Sequence, residues 1–166
     1  MTEKVQAVKH PRGLKRIFFR FPILLYRAGL GWLLGERALM MSHTGRVSGL
    51  ARRVVLEVMR HDRETDTCIV ASGWGEKSDW FQNIRKNPLV EVIVGRRRFS
   101  ALAQRLPRDD AEKEILDYAR RHPTAIRQLG RLIGYQLEHT PEGYRALVGV
   151  MPIVAIRPVK EESERV

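Results

Sequence analysis

The sequence predicts an α+β protein built on a six-stranded antiparallel β-barrel with helices at its periphery. Five strand-like segments follow one another with a single short helix between the third and the fourth. A helical region begins beyond Pro107, and one more apolar strand near the C-terminus closes the set. Since strands and helices do not alternate regularly, the order favours a barrel over a doubly wound parallel sheet. At 166 residues the chain is most simply one domain.

The six predicted strands are short apolar or alternating runs bounded by glycine, proline or polar turns. They span residues 38–43, 51–60, 67–72, 89–94, 99–106 and 151–156. The first two form a hairpin around a polar loop at 44–49. Cys68 lies inside the apolar third run, so we expect a small core residue rather than a nucleophile.

The helix predicted between the third and fourth strands follows a glycine-containing loop. Ser78 or Asp79 stands where a capping residue is expected, and Asn87-Pro88 ends the helix. Its inward stripe is Trp80, Phe81 and Ile84. Gly73 and Gly75 allow close approach to the first turn, whose free N–H groups attract anions. The segment is therefore either a phosphate site or an ordinary connection between a strand and a helix.

Further helices are predicted after Pro107. One carries Ile115, Leu116 and Tyr118, and the next opens at Pro123 and runs to Leu132. Thr140 is placed to cap a last helix, with proline at its first position. Residues 38–158 thus form the predicted barrel domain, and residues 159–166 form a charged tail.

The chain is strongly basic, with 30 Lys and Arg against 19 Asp and Glu and a net charge of +11. Such a charge favours a polyanionic partner, which could be a phosphorylated cofactor, a membrane surface or a nucleic acid. We disfavour nucleic acid because Trp74, Trp80 and Phe81 fit a capped helix better than a stacking platform. The scattered histidines lack metal-ligand spacing, so no metal site is predicted.

Residues 1–37 form a basic amphipathic segment with a predicted N-terminal amphipathic helix. Its apolar run is interrupted by Pro22 and Arg27 and is too short to cross a bilayer, and it resembles no signal peptide. Residues 9–34 could therefore lie on an anionic membrane surface. The alternative is a helix that packs on the barrel or on the second subunit of a homodimer.

The loop at 44–49 and the strand after it bring three guanidiniums and two hydroxyls together. Arg46, Arg52 and Arg53 supply the charges, and Thr44 and Ser48 supply the hydroxyls. Arginine forks bind phosphate oxygens in bidentate fashion, so this cluster suits a phosphate. It is otherwise a solvated hairpin tip.

Several motifs together resemble the deazaflavin-dependent nitroreductase family, the split β-barrel (FMN-binding-like) oxidoreductases that use coenzyme F420. They are Thr-Gly-Arg-Val-Ser-Gly at 44–49, Arg52, Ala-Ser-Gly-Trp-Gly at 71–75, Ser-Asp-Trp-Phe-Gln-Asn at 78–83, Lys-Asn-Pro at 86–88 and the closing strand. The resemblance runs from about Leu39 to Pro158. In that family the N-terminal segment varies and in some members reaches the membrane.

The resemblance implies a cofactor phosphate held by Arg52, by Val47 and Ser48, and by the helix start at Asp79 and Trp80. It places Ser72 and Gly73 along the deazaflavin ring. The full set of implied cofactor-binding residues is Arg46, Val47, Ser48, Arg52, Arg53, Val54, Ser72, Gly73, Trp74, Ser78, Asp79, Trp80 and Asn83.

The chain departs from the family pattern at three places. A lysine common in the first loop is Val47, and a basic residue common after Ser72 is Gly73, so Arg46, Arg53 or Lys77 would have to replace those charges. The substrate-pocket tyrosines of the nitroreductase have no match after Pro123. Activity on nitro compounds therefore does not carry over from the resemblance alone.

The resemblance implies an F420-dependent oxidoreductase that transfers hydride from the reduced deazaflavin to an electron-poor small molecule, such as a quinone, enone or nitroaromatic. No catalytic side chain is assigned. An FMN-binding reductase on the same barrel, or a non-enzymatic protein that binds lipid or tetrapyrrole, are the alternatives. We expect a cytoplasmic protein, peripheral at the inner face of the cell membrane if the N-terminal segment binds there; a single cysteine suits that reducing compartment.

Overall fold

Six antiparallel strands form a closed barrel in the computed structural model, which describes residues 21–132 and 136–160. The strands are β1 (Ala38–Thr44), β2 (Ala51–Asp62), β3 (Thr67–Ala71), β4 (Leu89–Val94), β5 (Arg97–Arg105) and β6 (Ile153–Pro158). Their order around the barrel is β1-β2-β3-β6-β5-β4. The predicted α+β barrel is confirmed, with strand ends that differ from the predicted ones by a few residues.

The described helices surround this barrel. They are α1 (Phe21–Arg27), α2 (Asp79–Lys86), α3 (Arg108–Arg121), α4 (Pro123–Leu132) and α5 (Pro141–Val148), with 3₁₀ turns at Gly31–Leu34 and Gly75–Lys77. Thr140 caps α5 as predicted, since its Oγ1 accepts a hydrogen bond from the Gly143 amide at 3.1 Å.

Side chains of β2 point to two different apolar layers, one inside the barrel and one outside it. Leu56 points into the barrel, where it joins buried residues of the other strands and of α2, while Met59 faces outward against α3, α4 and α5. Cys68 is fully buried in the inner layer, as predicted. Burial raises the pKa of its thiol to about 11.

Helix α2 covers the inner layer with the predicted stripe. Trp80 and Phe81 are buried edge to face, with ring centroids 6.0 Å apart. Gly75 precedes the helix at φ 75°, and a Cβ there would lie 2.9 Å from the Val150 carbonyl oxygen, so only glycine fits. The predicted cap is not made: Ser78 occupies the N-cap position without a capping side-chain bond.

The N-terminal segment is described only from residue 21, so residues 9–20 of the proposed membrane segment lie outside the described part. In the described part, this segment forms α1 and the first 3₁₀ turn. Tyr26 is buried, and its hydroxyl donates to the Ala38 carbonyl oxygen at 2.9 Å. This contact attaches the segment to β1 of the barrel.

Candidate functional site

The loop between β1 and β2 is joined to helix α2 through Arg46. The Arg46 amide donates to Asn83 Oδ1 at 3.0 Å, and its guanidinium donates to the same oxygen at 3.0 Å and to Asp79 Oδ1 at 3.1 Å. Lys86 Nζ donates to the Arg46 carbonyl oxygen at 2.8 Å. The two loops predicted to bind one anion therefore lie side by side.

A buried histidine completes this connection. Asn83 Nδ2 lies 3.1 Å from His43 Nδ1, and both side chains are buried. Burial, with a smaller contribution from the Arg52 charge, lowers the pKa of His43 to about 4. The ring is thus neutral at neutral pH, and the amide of Asn83 donates to an unprotonated Nδ1. Because Asn83 forms hydrogen bonds with both Arg46 and His43, it holds the β1–β2 loop against α2.

Arg52 and Arg53 lie on opposite faces of β2. Arg52 pairs with His43 across the β1–β2 ladder, and its stem passes near Gly45 at the base of the loop. Arg53 is displaced to the outer face by the alternation of the strand. Both are exposed, and neither forms an ion pair within the described residues. Arg52 is therefore the free guanidinium beside the loop, whereas Arg46 is engaged by Asp79.

The tip of the loop exposes two backbone donors. Gly49, at φ 68°, donates to Gly45, and the Leu50 amide donates to Ser48 Oγ. Across the described chain, the Val47 and Ser48 amides meet no protein acceptor. Val47 is 92% exposed, so its side chain packs on nothing. The tip thus offers two free N–H groups next to Arg52.

Several of the predicted site residues on β2, β3 and α2 are packed or hydrogen-bonded inside the protein. Val54 packs against the inner core, and Trp80 is buried in it. Ser72 is buried, and its hydroxyl donates to the Gly75 carbonyl oxygen at 2.8 Å and lies 2.9 Å from Ser78 Oγ. Gly73 and Trp74 are half-buried at the end of β3. Apart from its chain neighbours, no described residue stands within 4 Å of the position that a Cβ on Gly73 would take.

A cavity of about 480 Å³ opens beside Gly73, between the outer face of the barrel and helices α3 and α4. Its described lining is Glu57, Met59, Ala71, Gly73, Tyr118, Ala125, Gln128, Leu129 and Met151. The volume suits a small aromatic ligand. Another cavity, of about 460 Å³, lies near Arg105 and Val148 and includes none of the predicted site residues.

Two residues of the larger cavity form a polar pair. The Tyr118 hydroxyl donates to Glu57 Oε1 at 3.0 Å. Burial raises the pKa of Tyr118 well above its usual range, and the Glu57 charge adds to the rise, so the phenol keeps its proton.

Sequence reasoning identified neither this pair nor His43. Strand alternation places Glu57 outside the barrel and Tyr118 sits on the predicted stripe of α3, but 61 residues separate them. No local pattern indicates such a contact.

The donor set fits a phosphorylated deazaflavin. A phosphate needs several converging N–H donors, and the loop offers two free amides with the Arg52 guanidinium at its base. The open space at Gly73 leaves room for a planar ring against the backbone. In the described ranges, no group of His, Cys, Asp and Glu side chains is arranged to hold a metal.

Solved structures with this fold include several cofactor proteins. An F420-H2 dependent reductase (FDR-A) is 16% identical, with a TM-score of 0.52 over 75% of this chain and 96% of its own. A pyridoxamine 5'-phosphate oxidase-related, FMN-binding protein from Nostoc punctiforme is 13% identical, with a TM-score of 0.53 over 89% and 82%. HutZ, the heme storage protein from Vibrio cholerae, is 14% identical, with a TM-score of 0.52 over 82% and 92%. At these identities the likeness concerns the fold alone.

The sequence itself matches a family model over residues 26–141, and that model describes the F420H(2)-dependent quinone reductases. No curated protein matches the chain significantly. The match covers the β1–β2 loop, helix α2 and most of the cavity lining. The predicted use of coenzyme F420 is confirmed, and the FMN, lipid and tetrapyrrole alternatives are not favoured. The chain belongs to the F420H(2)-dependent quinone reductase family and is an F420-dependent oxidoreductase.

Proposed function

We propose that this reductase holds F420 with its phosphate at the β1–β2 loop and its deazaflavin ring against Ser72 and Gly73, and reduces a quinone-class acceptor in the adjacent cavity. The observation that carries the proposal is the unpaired Arg52 guanidinium beside the free Val47 and Ser48 amides. Among the described residues these three groups meet no protein acceptor, and a phosphate would supply the acceptors.

Bound F420H2 supplies a hydride from C5 of the deazaflavin, and the acceptor also takes up a proton, which solvent can provide. The chain's own residues bind and orient. The buried hydrogen bond from Ser72 to Gly75 fixes the backbone against which the ring would lie. Gly73 has no side chain that would obstruct the ring. Helices α3 and α4 form one wall of the cavity through Tyr118, Ala125, Gln128 and Leu129.

The acceptor is expected in the cavity because that space begins at Gly73, where the ring would end. Its walls are mainly apolar, through Met59, Leu129 and Met151, with polar groups at Glu57 and Tyr118. An apolar cleft with few polar groups suits a planar electron-poor ring such as a quinone or an enone.

A binding titration tests the cofactor, and a turnover assay tests the reaction. The protein is titrated with F420 and with FMN while the cofactor fluorescence is followed, and oxidation of F420H2 by menadione is then measured. Saturable F420 binding, weakened by salt, together with menadione-dependent oxidation is expected. Binding of FMN in place of F420 would reject the proposed site.

We also propose that the protein is cytoplasmic and peripheral at an anionic membrane surface. Leu24, Trp32 and Leu33 are between 45% and 58% exposed, and the Arg96 guanidinium carbon lies 5.2 Å from the centre of the Trp32 ring. Exposed apolar side chains beside arginines suit the interface of an anionic bilayer. Within residues 21–132 and 136–160 no helix is long and apolar enough to cross a membrane. A homodimer that covers the same face is the alternative.

A further inference from the structure

We infer that Glu57 makes the acceptor cavity selective for charge: it favours neutral or cationic planar ligands and disfavours carboxylates and sulfonates. Of the described residues that line the cavity, Glu57 alone carries a formal charge at neutral pH. A ligand that fills this space must come close to that carboxylate. The inference rests on the proposed function only in identifying the ligand as the hydride acceptor.

Tyr118 holds this charge in position. A carboxylate can only accept, so the hydrogen bond from the Tyr118 hydroxyl to Glu57 Oε1 fixes the direction of donation. The other carboxylate oxygen has no described protein donor. It is therefore free to accept from a ligand N–H or O–H, or to face a cationic ring. Tyr118 acts as a positioning residue.

The arginine that acts on Tyr118 forms no ion pair with Glu57 among the described residues. Arg121 influences Tyr118, but its guanidinium is committed elsewhere: Nη2 donates to the Met59 carbonyl oxygen at 3.1 Å and Nε donates to Asp117 at 2.7 Å. Asp117 accepts from both Arg120 and Arg121. In a chain of net charge +11, a cavity that prefers cations differs from the rest of the surface.

The test is equilibrium binding of two redox-inactive probes to the full chain without cofactor. N-methylquinolinium and 2-naphthoate are planar bicyclic rings of similar size and opposite charge. Ligand-observed NMR titrations at 0.15 M salt are made on wild type, on Glu57→Gln, and on Glu142→Gln, an exposed glutamate on α5 that controls for net charge. We expect wild type to bind the cation ~5- to 30-fold more tightly than the anion, because the Glu57 carboxylate attracts the one and repels the other.

In Glu57→Gln the two probes should bind equally, and in Glu142→Gln the preference should persist. Equal binding by wild type, a preference that survives Glu57→Gln, or no binding of either probe would each overturn the inference. If the preference depends on Glu57 but F420H2 is not oxidised by any quinone, the charge selection is supported and the proposed function fails.

Discussion

The backbone N–H of Arg46 donates to Asn83 Oδ1 at 3.0 Å and so joins the β1–β2 loop to helix α2, 37 residues away. The Arg46 guanidinium separately donates to Asp79 Oδ1 at 3.1 Å. An arginine that could bind the cofactor's phosphate is thus held by a carboxylate of its own chain. Asp79 is 81% exposed, so this pair contributes little to stability.

Asp79→Asn should therefore strengthen F420 binding. Removing the competing carboxylate releases Arg46 and deletes a negative charge near the phosphate, which we expect to lower the F420 dissociation constant ~3- to 10-fold. Fluorescence titration at low salt measures the change. The matched control is Asp110→Asn on α3, which pairs with Lys113 outside the site. Weaker binding in Asp79→Asn would show that Asp79 helps to hold the cofactor.

Arg52→Ala should weaken F420 binding ~10- to 150-fold, since it removes a charge-assisted hydrogen bond worth ~1.5 to 3 kcal/mol. The free energy of unfolding should barely change, because Arg52 is exposed and makes no ion pair among the described residues. Titration at two salt concentrations and kcat/KM for F420H2 measure the effect. Arg120→Ala, at an exposed arginine of α3, is the control. Identical curves for wild type and Arg52→Ala would remove Arg52 from the site.

His43 should make stability depend on pH between about 6.5 and 4. Its folded pKa of about 4 lies below the ordinary value of 6.5, so in this window the unfolded chain binds the proton more readily. The contribution is complete above pH 6.5 and is lost as the pH falls, by ~3 kcal/mol in all. Urea unfolding at pH 7, 5.5 and 4.5 measures the slope.

His43→Gln should remove most of that slope, because glutamine has no proton to gain. His139→Gln, at an exposed histidine, should keep it. A slope that is the same in all three proteins would mean that other groups dominate the pH dependence.

Exposed apolar residues of the N-terminal segment should govern membrane binding. Wild type should float with anionic liposomes at low salt. The double variant Trp32→Ser/Leu33→Ser should reduce the bound fraction ~10-fold, because burial of each apolar side chain in the bilayer favours binding. Each nearby basic residue adds ~1 kcal/mol to the binding free energy. Leu89→Ser, at an exposed leucine of β4, controls for general loss of apolar surface. If wild type stays unbound, light scattering tests whether this face joins two subunits.

Local pattern was sufficient to predict the barrel. Short apolar or alternating runs bounded by glycine, proline or polar turns marked all six strands. The stripe of Trp80, Phe81 and Ile84 marked α2, and the apolar neighbours of Cys68 marked it as buried. The motifs at 44–49 and 71–83 also identified the F420 family. These features depend on residues within one or two turns of each other, where sequence spacing and spatial neighbourhood coincide.

Only the tertiary structure decided which of these groups meet. Closure of the barrel placed Arg46 against Asp79, and packing of α3 on the outer face placed Tyr118 against Glu57. The tertiary structure also gives Ser78 a hydrogen bond with Ser72, and the expected cap is absent. Strand periodicity fixes the face to which a side chain belongs, but register and helix docking determine the residue opposite it, because those contacts join segments far apart in the chain.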